Sequence, residues 1–294
     1  MAVLVTSGTR VIGQGITGRA GTYHASRMMA YGTAIVAAVT PGKGGRRHLD
    51  MPVFNTVVDA IAATGATASI VFVPPAQAAD AMIEAIEADL DVVVCVTERV
   101  PLLDMVRVKE ALAGSKTRLI GPNSQGLLVP GVAQIGVMTT INARAGHIGI
   151  ASRAASLTSE VVAQLSRLGI GQSATIGVGG DPIHGLSLAD CVELFADDPG
   201  THGLVLIGEI GGREEEDAAA AISRLGLQKP VAAYIAGRHA PTAQRMGHAG
   251  ALVTATHGRV DQKADALRQA GVTIVEQVHA VGETLRSLMM GARA

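Results

Sequence analysis

The sequence predicts an α/β protein made of two doubly wound domains, each with a parallel sheet covered by helices on both faces. Two observations predict this fold. Short runs of β-branched residues alternate with alanine-rich helical stretches, and a turn-rich stretch interrupts the alternation once before it restarts. At 294 residues the chain is also long enough for two such domains. We therefore expect domains at 1–128 and 147–294, joined by a linker at 129–146.

The first half is predicted to contain five strands and four helices. Because the strands are continuous apolar runs, we expect them to be buried on both faces in a Rossmann-like sheet. The expected strands are Val11–Ile12, Ala34–Val39, Ala68–Val73, Val92–Val96 and Leu119–Ile120, and the expected helices are His24–Tyr31, Val57–Thr64, Ala76–Ala88 and Leu103–Gly114.

The same alternation predicts a second doubly wound sheet, of the flavodoxin-like type, in the second half. Such sheets bind their ligands at the carboxyl ends of the strands, so the residues that follow each strand are the candidates for function. The expected strands are Ile148–Ala151, Ala174–Val178, Leu204–Ile207, Val231–Ile235 and Thr273–Val275, with helices near 157–168, 186–196, 213–224, 260–270 and 278–290.

Composition and charge exclude several classes of function. The formal net charge is −1, so no overall field attracts nucleic acid or an anionic membrane, and the absence of Trp argues against base stacking. We find no signal-peptide layout and no apolar run long enough to span a membrane. Cys95 and Cys191 lie in apolar surroundings, and no histidine has Cys or Asp partners at metal-ligand spacing. We expect a cytoplasmic protein without a metal site.

A glycine-rich turn at Gly13–Gly18 lies between the first strand and the first helix. Glycines allow the backbone to approach a diphosphate, whose charge the helix amides can meet. An NAD site would need an acidic residue at the end of the second strand, but that strand leads into the basic, glycine-rich segment Pro41–Arg47. This loop suits the extra phosphate of NADP or of coenzyme A, or it is an ordinary solvated turn.

A second candidate site is the histidine segment Arg245–Gly250, in which small residues flank His248. A neutral imidazole is nucleophilic near physiological pH and can accept a phosphoryl group. Taken alone, the segment is more typical of a surface turn with a chance histidine. Glu209 follows a predicted strand and is a candidate to orient the imidazole.

These motifs, in this order and at this spacing, resemble the α subunit of succinyl-CoA synthetase (succinate–CoA ligase, ADP- or GDP-forming) over nearly the whole chain. The motifs that carry the resemblance are Gln14–Gly18 with Gly21–His24, Val39–Gly45, Pro52–Thr56, Gly121–Asn123, Gly179–Pro182, Gly208–Gly212 and Gly247–Gly250.

The resemblance implies a role for each matching residue. His248 is the transiently phosphorylated histidine, and Glu209 hydrogen-bonds and orients it. Thr17, a coenzyme A contact, could also cap the following helix. The implied coenzyme A contacts are Gly15, Thr17, Gly18, Arg19, Lys43, Val73, Pro74, Thr97 and Glu98, and the implied phosphate and substrate contacts are Asn123, Ser124, Ser156, Leu157 and Gly247.

In that family a nucleoside triphosphate phosphorylates the histidine, a carboxylate takes the phosphate, and coenzyme A displaces it to give a thioester. The chain has no Gly-x4-Gly-Lys-Ser/Thr loop for a nucleotide. The resemblance explains this absence, because ATP or GTP with Mg²⁺ is held by the ATP-grasp domain of a separate β subunit. It therefore implies a heteromeric partner and a small carboxylic acid substrate.

The sequence departs from the family where phosphate and acid should meet. The usual Ser-Gly-Thr turn reads Ala154–Ser156, the linker segment Thr139–Gly146 lacks the usual histidines, and the usual Asn-Cys-Pro-Gly reads Asn123–Gly126. Arg99 stands where glycine is common. We expect a CoA ligase whose acid is not necessarily succinate (malate or another dicarboxylate are alternatives). The competing interpretations are a CoA-binding paralogue with lost or altered turnover and an NADP oxidoreductase.

Overall fold

The computed structural model describes residues 4–241, 243–254 and 257–291. The first half forms a seven-stranded sheet of order β3-β4-β2-β1-β5-β6-β7, parallel except for β3 against β4. Its elements are β1 (Arg10–Gln14), α1 (Arg19–Tyr31), β2 (Ala34–Val39), β3 (Arg47–His48), β4 (Met51–Phe54), α2 (Val57–Thr64), β5 (Ala68–Val71), α3 (Pro75–Glu87), β6 (Val92–Cys95), α4 (Leu102–Leu112) and β7 (Arg118–Ile120).

The second half forms another seven-stranded sheet, of order β14-β13-β12-β10-β11-β8-β9, in which β8 runs antiparallel to β11 and β9. Its elements are β8 (Gly126–Val129), β9 (Ala133–Gly136), β10 (Ala145–Ser152), α5 (Ala155–Arg167), β11 (Gln172–Gly177), α6 (Leu188–Asp197), β12 (Gly203–Glu209), α7 (Glu214–Leu225), β13 (Val231–Ala236), α8 (Val260–Gln269), β14 (Thr273–Ile274), a 3₁₀ turn (Val278–Ala280) and α9 (Val281–Gly291).

Local sequence signals explain where several helices begin and end. The hydroxyl of Thr56 accepts a hydrogen bond from the Asp59 amide and so caps α2. Gly32 and Gly65 end α1 and α2 in the left-handed conformation that glycine adopts without steric cost. In α6, Ser187 and Asp190 form a reciprocal capping box.

The predicted α/β class with two doubly wound sheets is confirmed. The structure differs at the hairpin of β8 and β9, which the sequence analysis assigned in part to a linker. Here 129–146 contains β9 and the beginning of β10, both in the second sheet. The hairpin strands pack closely because Gly126 and Gly136 face each other, and a Cβ on Gly136 would lie 2.8 Å from the Gly126 Cα. The division into domains at 128 and 147 stays a prediction.

The two halves pack together through a polar contact and a shared apolar core. Thr33, which follows α1, donates to the Gln134 carbonyl at 2.7 Å and accepts from the Gln134 amide at 3.0 Å. Buried residues of both halves, among them Met28 of α1, Leu127 of β8 and Ile176 of β11, belong to one apolar cluster. Within the described part of the chain, no helix is both long and apolar enough to cross a bilayer. The packing brings the carboxyl ends of strands from both sheets toward each other.

Candidate active site

His248 lies in the segment between β13 and α8, and its Nδ1 is 2.7 Å from Oε2 of Glu209. Glu209 is the last residue of β12, and its side chain is 9% exposed against 34% for His248. A carboxylate can only accept a hydrogen bond, so Nδ1 carries the proton. The imidazole lies against the backbone of Gly180, where a Cβ would come within 2.5 Å of Nδ1. Glycine at this position therefore makes room for the ring.

Several groups determine the protonation of the imidazole. The hydrogen bond to Glu209 raises the pKa of His248, while burial and the charge of Arg153 oppose that rise, and Asp181 adds to it. Because Glu209 holds the protonated Nδ1, the lone pair of the neutral ring is on Nε2. Nε2 is thus the nitrogen available as a nucleophile.

A cavity of about 210 Å³ separates His248 from the beginning of α5. Its wall includes Asn123, Ser124, Arg153 and Ala155. The first amides of α5 have no partner within the helix, as at any helix N-terminus, and carry partial positive charge. The cavity can therefore hold an anionic group beside the imidazole.

The beginning of α5 has few side-chain donors. Ala154 is its N-cap and has no side-chain cap, and the Ser152 hydroxyl accepts from the Ala154 amide at 3.0 Å. Ser156 and Leu157, the predicted phosphate contacts, lie in the first turn of α5, where Ser156 is exposed. Ala155 lines the cavity, whereas neither of the two predicted contacts does.

Asn123 and Ser124 lie at the cavity, but their side chains are engaged by the protein. The Asn123 amide group donates to Asp181 Oδ1 at 2.9 Å, and burial raises the pKa of Asp181. The buried Ser124 hydroxyl donates to the Gly177 carbonyl and accepts from the Gly126 amide at 2.8 Å. The hydroxyl of Ser124 thus has a structural task in this chain.

A second cavity, of about 520 Å³, adjoins His248 on another side. Gly247 and Glu98, both predicted site residues, lie in its wall with Arg99 and Arg245. Arg99 has φ +63°, a left-handed backbone that glycine would adopt more readily. Glu98 and Asn123 line both cavities, so the two cavities adjoin each other beside His248.

In the predicted coenzyme A turn at Gly13–Gly18, the backbone of Gly15 lies close to Val73. Gly15 has φ +78°, and a Cβ on it would lie 2.8 Å from Cγ1 of Val73. Thr17 is 3.1 Å from the hydroxyl of Thr40 and accepts from Lys43 Nζ at 3.1 Å. The expectation that Thr17 caps α1 is wrong, because Gly18 is the N-cap.

The other predicted coenzyme A contacts lie along the ends of neighbouring strands. Arg19 is the exposed first residue of α1, and Pro74 is the N-cap of α3. Thr97 donates to the Val73 carbonyl at 2.7 Å and accepts through its own carbonyl from the Asn123 amide at 2.8 Å. Val73, Thr97 and Asn123 thus form a continuous path toward His248, while Gly15, Thr17, Gly18 and Lys43 do not line the two cavities beside it.

Sequence reasoning missed the residues behind Glu209. Arg153 NH2 lies 3.1 Å from Glu209 Oε1, and Glu215 Oε1 accepts from the Glu209 amide at 2.9 Å. Arg153 directly follows β10, so its place at the carboxyl end of a strand was a usable signal. Lys263, which binds Glu215, lies within α8 and gives no such signal.

Comparison with known families matches both halves of the chain. A CoA binding domain model matches residues 6–99, and a CoA-ligase model matches residues 151–275. The chain is 46% identical over 98% of its length to the succinate–CoA ligase [ADP-forming] subunit α of Aquifex aeolicus, covering 95% of that protein. It is likewise 46% identical over 97% of its length to the corresponding subunit of Staphylococcus aureus strain Mu50, covering 94% of that protein.

Solved structures share the fold. An ATP citrate lyase from Methanothrix soehngenii, in complex with citrate and coenzyme A, matches 99% of this chain with a TM-score of 0.86 and 24% identity. The dinucleotide-forming acetyl-coenzyme A synthetase 1 of Ca. Korarchaeum cryptofilum, in its apo form, matches 96% of this chain with a TM-score of 0.77 and 18% identity. The chain spans 52% and 61% of the length of those two chains.

Proposed function

The chain belongs to the family of succinate–CoA ligase [ADP-forming] α subunits, and from this we propose that it relays a phosphoryl group through His248 to a carboxylic acid, which is then transferred to coenzyme A. One observation carries the proposal: Glu209 holds His248 Nδ1 at 2.7 Å, which leaves Nε2 as the reactive nitrogen. Membership of this family leaves the NADP oxidoreductase interpretation without support.

In the first step, the lone pair of Nε2 attacks the terminal phosphorus of a nucleoside triphosphate. An N–P bond forms as the bond to the leaving nucleoside diphosphate breaks. The Nδ1 proton stays on its bond to Glu209, whose negative charge stabilises the ring as positive charge develops on it. Glu209 therefore acts as an orienting and electrostatic group.

In the second step, a carboxylate oxygen of the acid attacks the phosphorus and the N–P bond breaks, which returns neutral His248 and gives an acyl phosphate. The amides at the beginning of α5, across the cavity from the imidazole, support the transferred phosphate. Phosphate is a far better leaving group than the oxide of a free carboxylate, so the acyl group becomes transferable to a thiol.

Coenzyme A supplies the thiol that takes the acyl group. The residues present fit its binding, because glycine at position 15 lets the turn before α1 pack directly against Val73 with a φ of +78°. The exposed amino end of α1 at Gly18 and Arg19 suits a diphosphate. Lys43 and the basic loop that follows it suit the ribose phosphate.

A partner subunit with an ATP-grasp domain is part of the proposal. The family implies that this domain holds ATP or GTP with Mg²⁺, which agrees with the lack of a Gly-x4-Gly-Lys-Ser/Thr phosphate loop in this chain. The side chain of His248 is 34% exposed, so the imidazole can be reached from outside this chain. The buried free thiols of Cys95 and Cys191 suit the reducing cytoplasm.

The acid is proposed to be a small dicarboxylic acid, either succinate or a relative such as malate. The segment around Ala154 and Ala155 supports a preference that differs from that of the family, because it changes the wall that faces the reacting phosphate. A screen of dicarboxylates with the reconstituted complex, scored by thioester formation, identifies the acid.

The relay is tested by co-expressing the chain with its β subunit and labelling the complex with [γ-³²P]ATP and [γ-³²P]GTP. We expect an acid-labile label on this chain that His248→Asn abolishes. Equal labelling of the wild type and His248→Asn would reject the relay.

A second candidate function is coenzyme A binding without turnover, favoured by the uncapped beginning of α5 at Ala154. Calorimetry would then detect coenzyme A binding, while the dicarboxylate screen with partner and nucleotide would yield no thioester. Any acid-dependent thioester formation would eliminate this candidate.

A further inference from the structure

We propose that Arg153, supported by Glu215 and Lys263, is a positioning residue that fixes the Glu209 carboxylate and thereby holds His248 with its proton on Nδ1 and its lone pair on Nε2. The inference deepens the proposed phosphoryl relay and rests on it. It concerns three residues that the sequence analysis did not assign to the site.

The guanidinium of Arg153 is buried beside the carboxylate of Glu209. The Arg153 side chain is 2% exposed, and its NH2 lies 3.1 Å from Oε1 of Glu209 while Oε2 of the same carboxylate faces His248. The carboxylate is therefore held by a hydrogen bond at Oε2 and, at Oε1, by the opposite charge of Arg153 alone, since Oε1 has no hydrogen-bond partner among the described residues. Within the described residues, Nε and NH1 of Arg153 have no hydrogen-bond partner. A guanidinium buried at that cost indicates a role for its charge.

Glu215 contacts both Arg153 and the backbone of Glu209. Glu215, in the first turn of α7, has Oε1 3.9 Å from Arg153 NH1 and accepts from the Glu209 amide with the same oxygen. Gly208 leaves the space for this side chain, since a Cβ there would lie 2.6 Å from Glu215 Cγ. Glu215 thus orients both the backbone and the ion-pair partner of Glu209.

Lys263 of α8 is the last charged residue in this series of ion pairs, and its side chain is fully buried. Its ammonium binds the carboxylate of Glu215, lies 3.3 Å from that of Glu216, and donates to the Gly212 carbonyl at 3.2 Å. Negative and positive groups therefore alternate from Glu209 to Lys263. This alternation keeps each buried charge beside an opposite one, which is the condition for burying it at all.

Arg153 also adjoins the segment that carries the histidine. A Cβ on Gly250 would lie 3.1 Å from Arg153 NH2, and the Gly250 amide bonds the Gly180 carbonyl at 3.4 Å. The guanidinium is thus packed between Glu209 and the backbone just after His248. It can fix the distance between the two groups as well as their charges.

The charge of Arg153 has a measurable consequence for His248. The pKa of His248 is raised by the hydrogen bond to Glu209, lowered by burial, raised further by Glu209's charge and by Asp181, and lowered by Arg153. Loss of the Arg153 charge leaves the ring more readily protonated, and an imidazolium has no lone pair for phosphorus. The other charged residues around the adjoining cavities are Glu98, Arg99 and Arg245.

The experiment is a pH titration of the full chain, labelled with ¹⁵N-histidine and followed by NMR. Comparison with His248→Asn assigns the resonances of His248 among the nine histidines. We expect the neutral wild-type ring to carry its proton on Nδ1. In Arg153→Gln the midpoint should move to higher pH by about one unit, while Arg153→Lys, which keeps the charge, should stay near the wild type.

The matched control is Arg224→Gln, which removes an exposed arginine from its ion pair with Glu193 and should leave the His248 midpoint unchanged. The labelled αβ complex gives the functional readout: in Arg153→Gln the acidic limb of the phosphorylation profile should move in the same direction. A merely structural role for Arg153 would lower the rate at every pH without moving that limb.

An unchanged midpoint in folded Arg153→Gln would overturn the proposal. If that variant does not fold, a wild-type ring protonated on Nε2 would overturn it, as would an Arg153→Lys midpoint displaced by a full unit. The titration needs neither nucleotide nor partner. Absent labelling combined with the expected titration would therefore reject the relay and leave the positioning role in place.

Discussion

The two walls of the cavity beside His248 are built differently. On the histidine wall, the ring packs on Gly180 and bonds Glu209, and Glu209 is held in turn by the buried Arg153. On the opposite wall, α5 begins at Ala155 with neither a side-chain cap nor an acid in its first turn. One wall is a connected network of side chains, whereas the other offers mainly backbone amides.

The difference separates two requirements of the proposed chemistry. A histidine that exchanges phosphate needs one fixed orientation and one fixed tautomer, and these depend on several side chains together. Holding a phosphate or an acid needs only donors at suitable places, which helix amides supply without any particular side chain. We therefore expect substitution to be tolerated at Ala154 and Ala155 but not around Gly180.

The largest effect on phosphohistidine formation is expected for Gly180→Ala, which removes the space that the His248 ring occupies. The added Cβ would come within 2.5 Å of His248 Nδ1, so the ring must leave its bond to Glu209. Gly180 has no left-handed φ, so alanine introduces no strain of that kind into its backbone. We expect phosphohistidine formation to fall about a hundredfold, the effect of a misplacement near 1 Å, with a small change in melting temperature.

The control for this substitution is Gly8→Ala, where a Cβ would meet only the Thr6 hydroxyl, at 3.6 Å. It should label like the wild type. Wild-type labelling of Gly180→Ala, measured with [γ-³²P]ATP in the αβ complex, would contradict the packing argument.

Ser124→Ala distinguishes a structural wall residue from a substrate contact. The substitution leaves the buried Gly126 amide and Gly177 carbonyl without the Ser124 hydroxyl. We expect a loss of about 1–3 kcal/mol in the free energy of unfolding, measured with urea, and an unchanged KM for the acid.

Ser156→Ala is the matched comparison, because Ser156 is exposed and makes no side-chain hydrogen bond among the described residues. It should leave the stability unchanged. A raised KM for the acid in Ser124→Ala, with stability intact, would show that Ser124 contacts substrate after all.

The repeated alternation of strand and helix was enough to predict the fold, and several bounds agree closely. Val57–Thr64 is helix and Ala34–Val39 is strand, as predicted. The hairpin of β8 and β9 was missed because its four-residue strands are short and flank Pro130 and Gly131, which are typical of a loop. Its strand character depends on pairing with β11, which is remote in sequence.

The pair of Glu209 and His248 was predictable because both positions match family motifs, and the structure places them in contact. Lys263 was not predictable. A lysine within an amphipathic helix is normally exposed, and only the tertiary packing of α7 against α8 places it beside Glu215. Arg153 was predictable only in part. Its place directly after β10 makes it a candidate site residue, but the sequence does not indicate Glu209 as its partner.

The double substitution Ala154→Ser/Ala155→Gly tests the other wall by restoring the residues common in the family. A hydroxyl at the N-cap and a glycine that allows closer backbone approach should favour an anion at the beginning of α5. We expect kcat/KM for succinate to rise by up to about fivefold, corresponding to the roughly 0.3–1 kcal/mol of a helix-terminus charge interaction.

Thioester formation with purified complex is the measurement, and Ala220→Ser on the exposed face of α7 is the control. A rise for succinate accompanied by a fall for another dicarboxylate would assign this wall to the choice of acid, and an unchanged kcat/KM for every acid would contradict the expectation.

The smallest effect is expected for Lys43→Gln, which lies outside both walls. Lys43 bonds the Thr17 hydroxyl at 3.1 Å and is partly exposed, so its charge acts through solvent and is screened by salt. We expect coenzyme A affinity to fall about threefold at low ionic strength and less at high salt, measured by calorimetry, while phosphohistidine formation is unchanged. Asn55→Ala, which removes the acceptor for the Gly42 and Gly44 amides, disturbs the same loop without changing its charge. If Lys43→Gln weakens binding equally at both salt concentrations, its role is to shape the loop, and the basic segment does not recognise phosphate through charge.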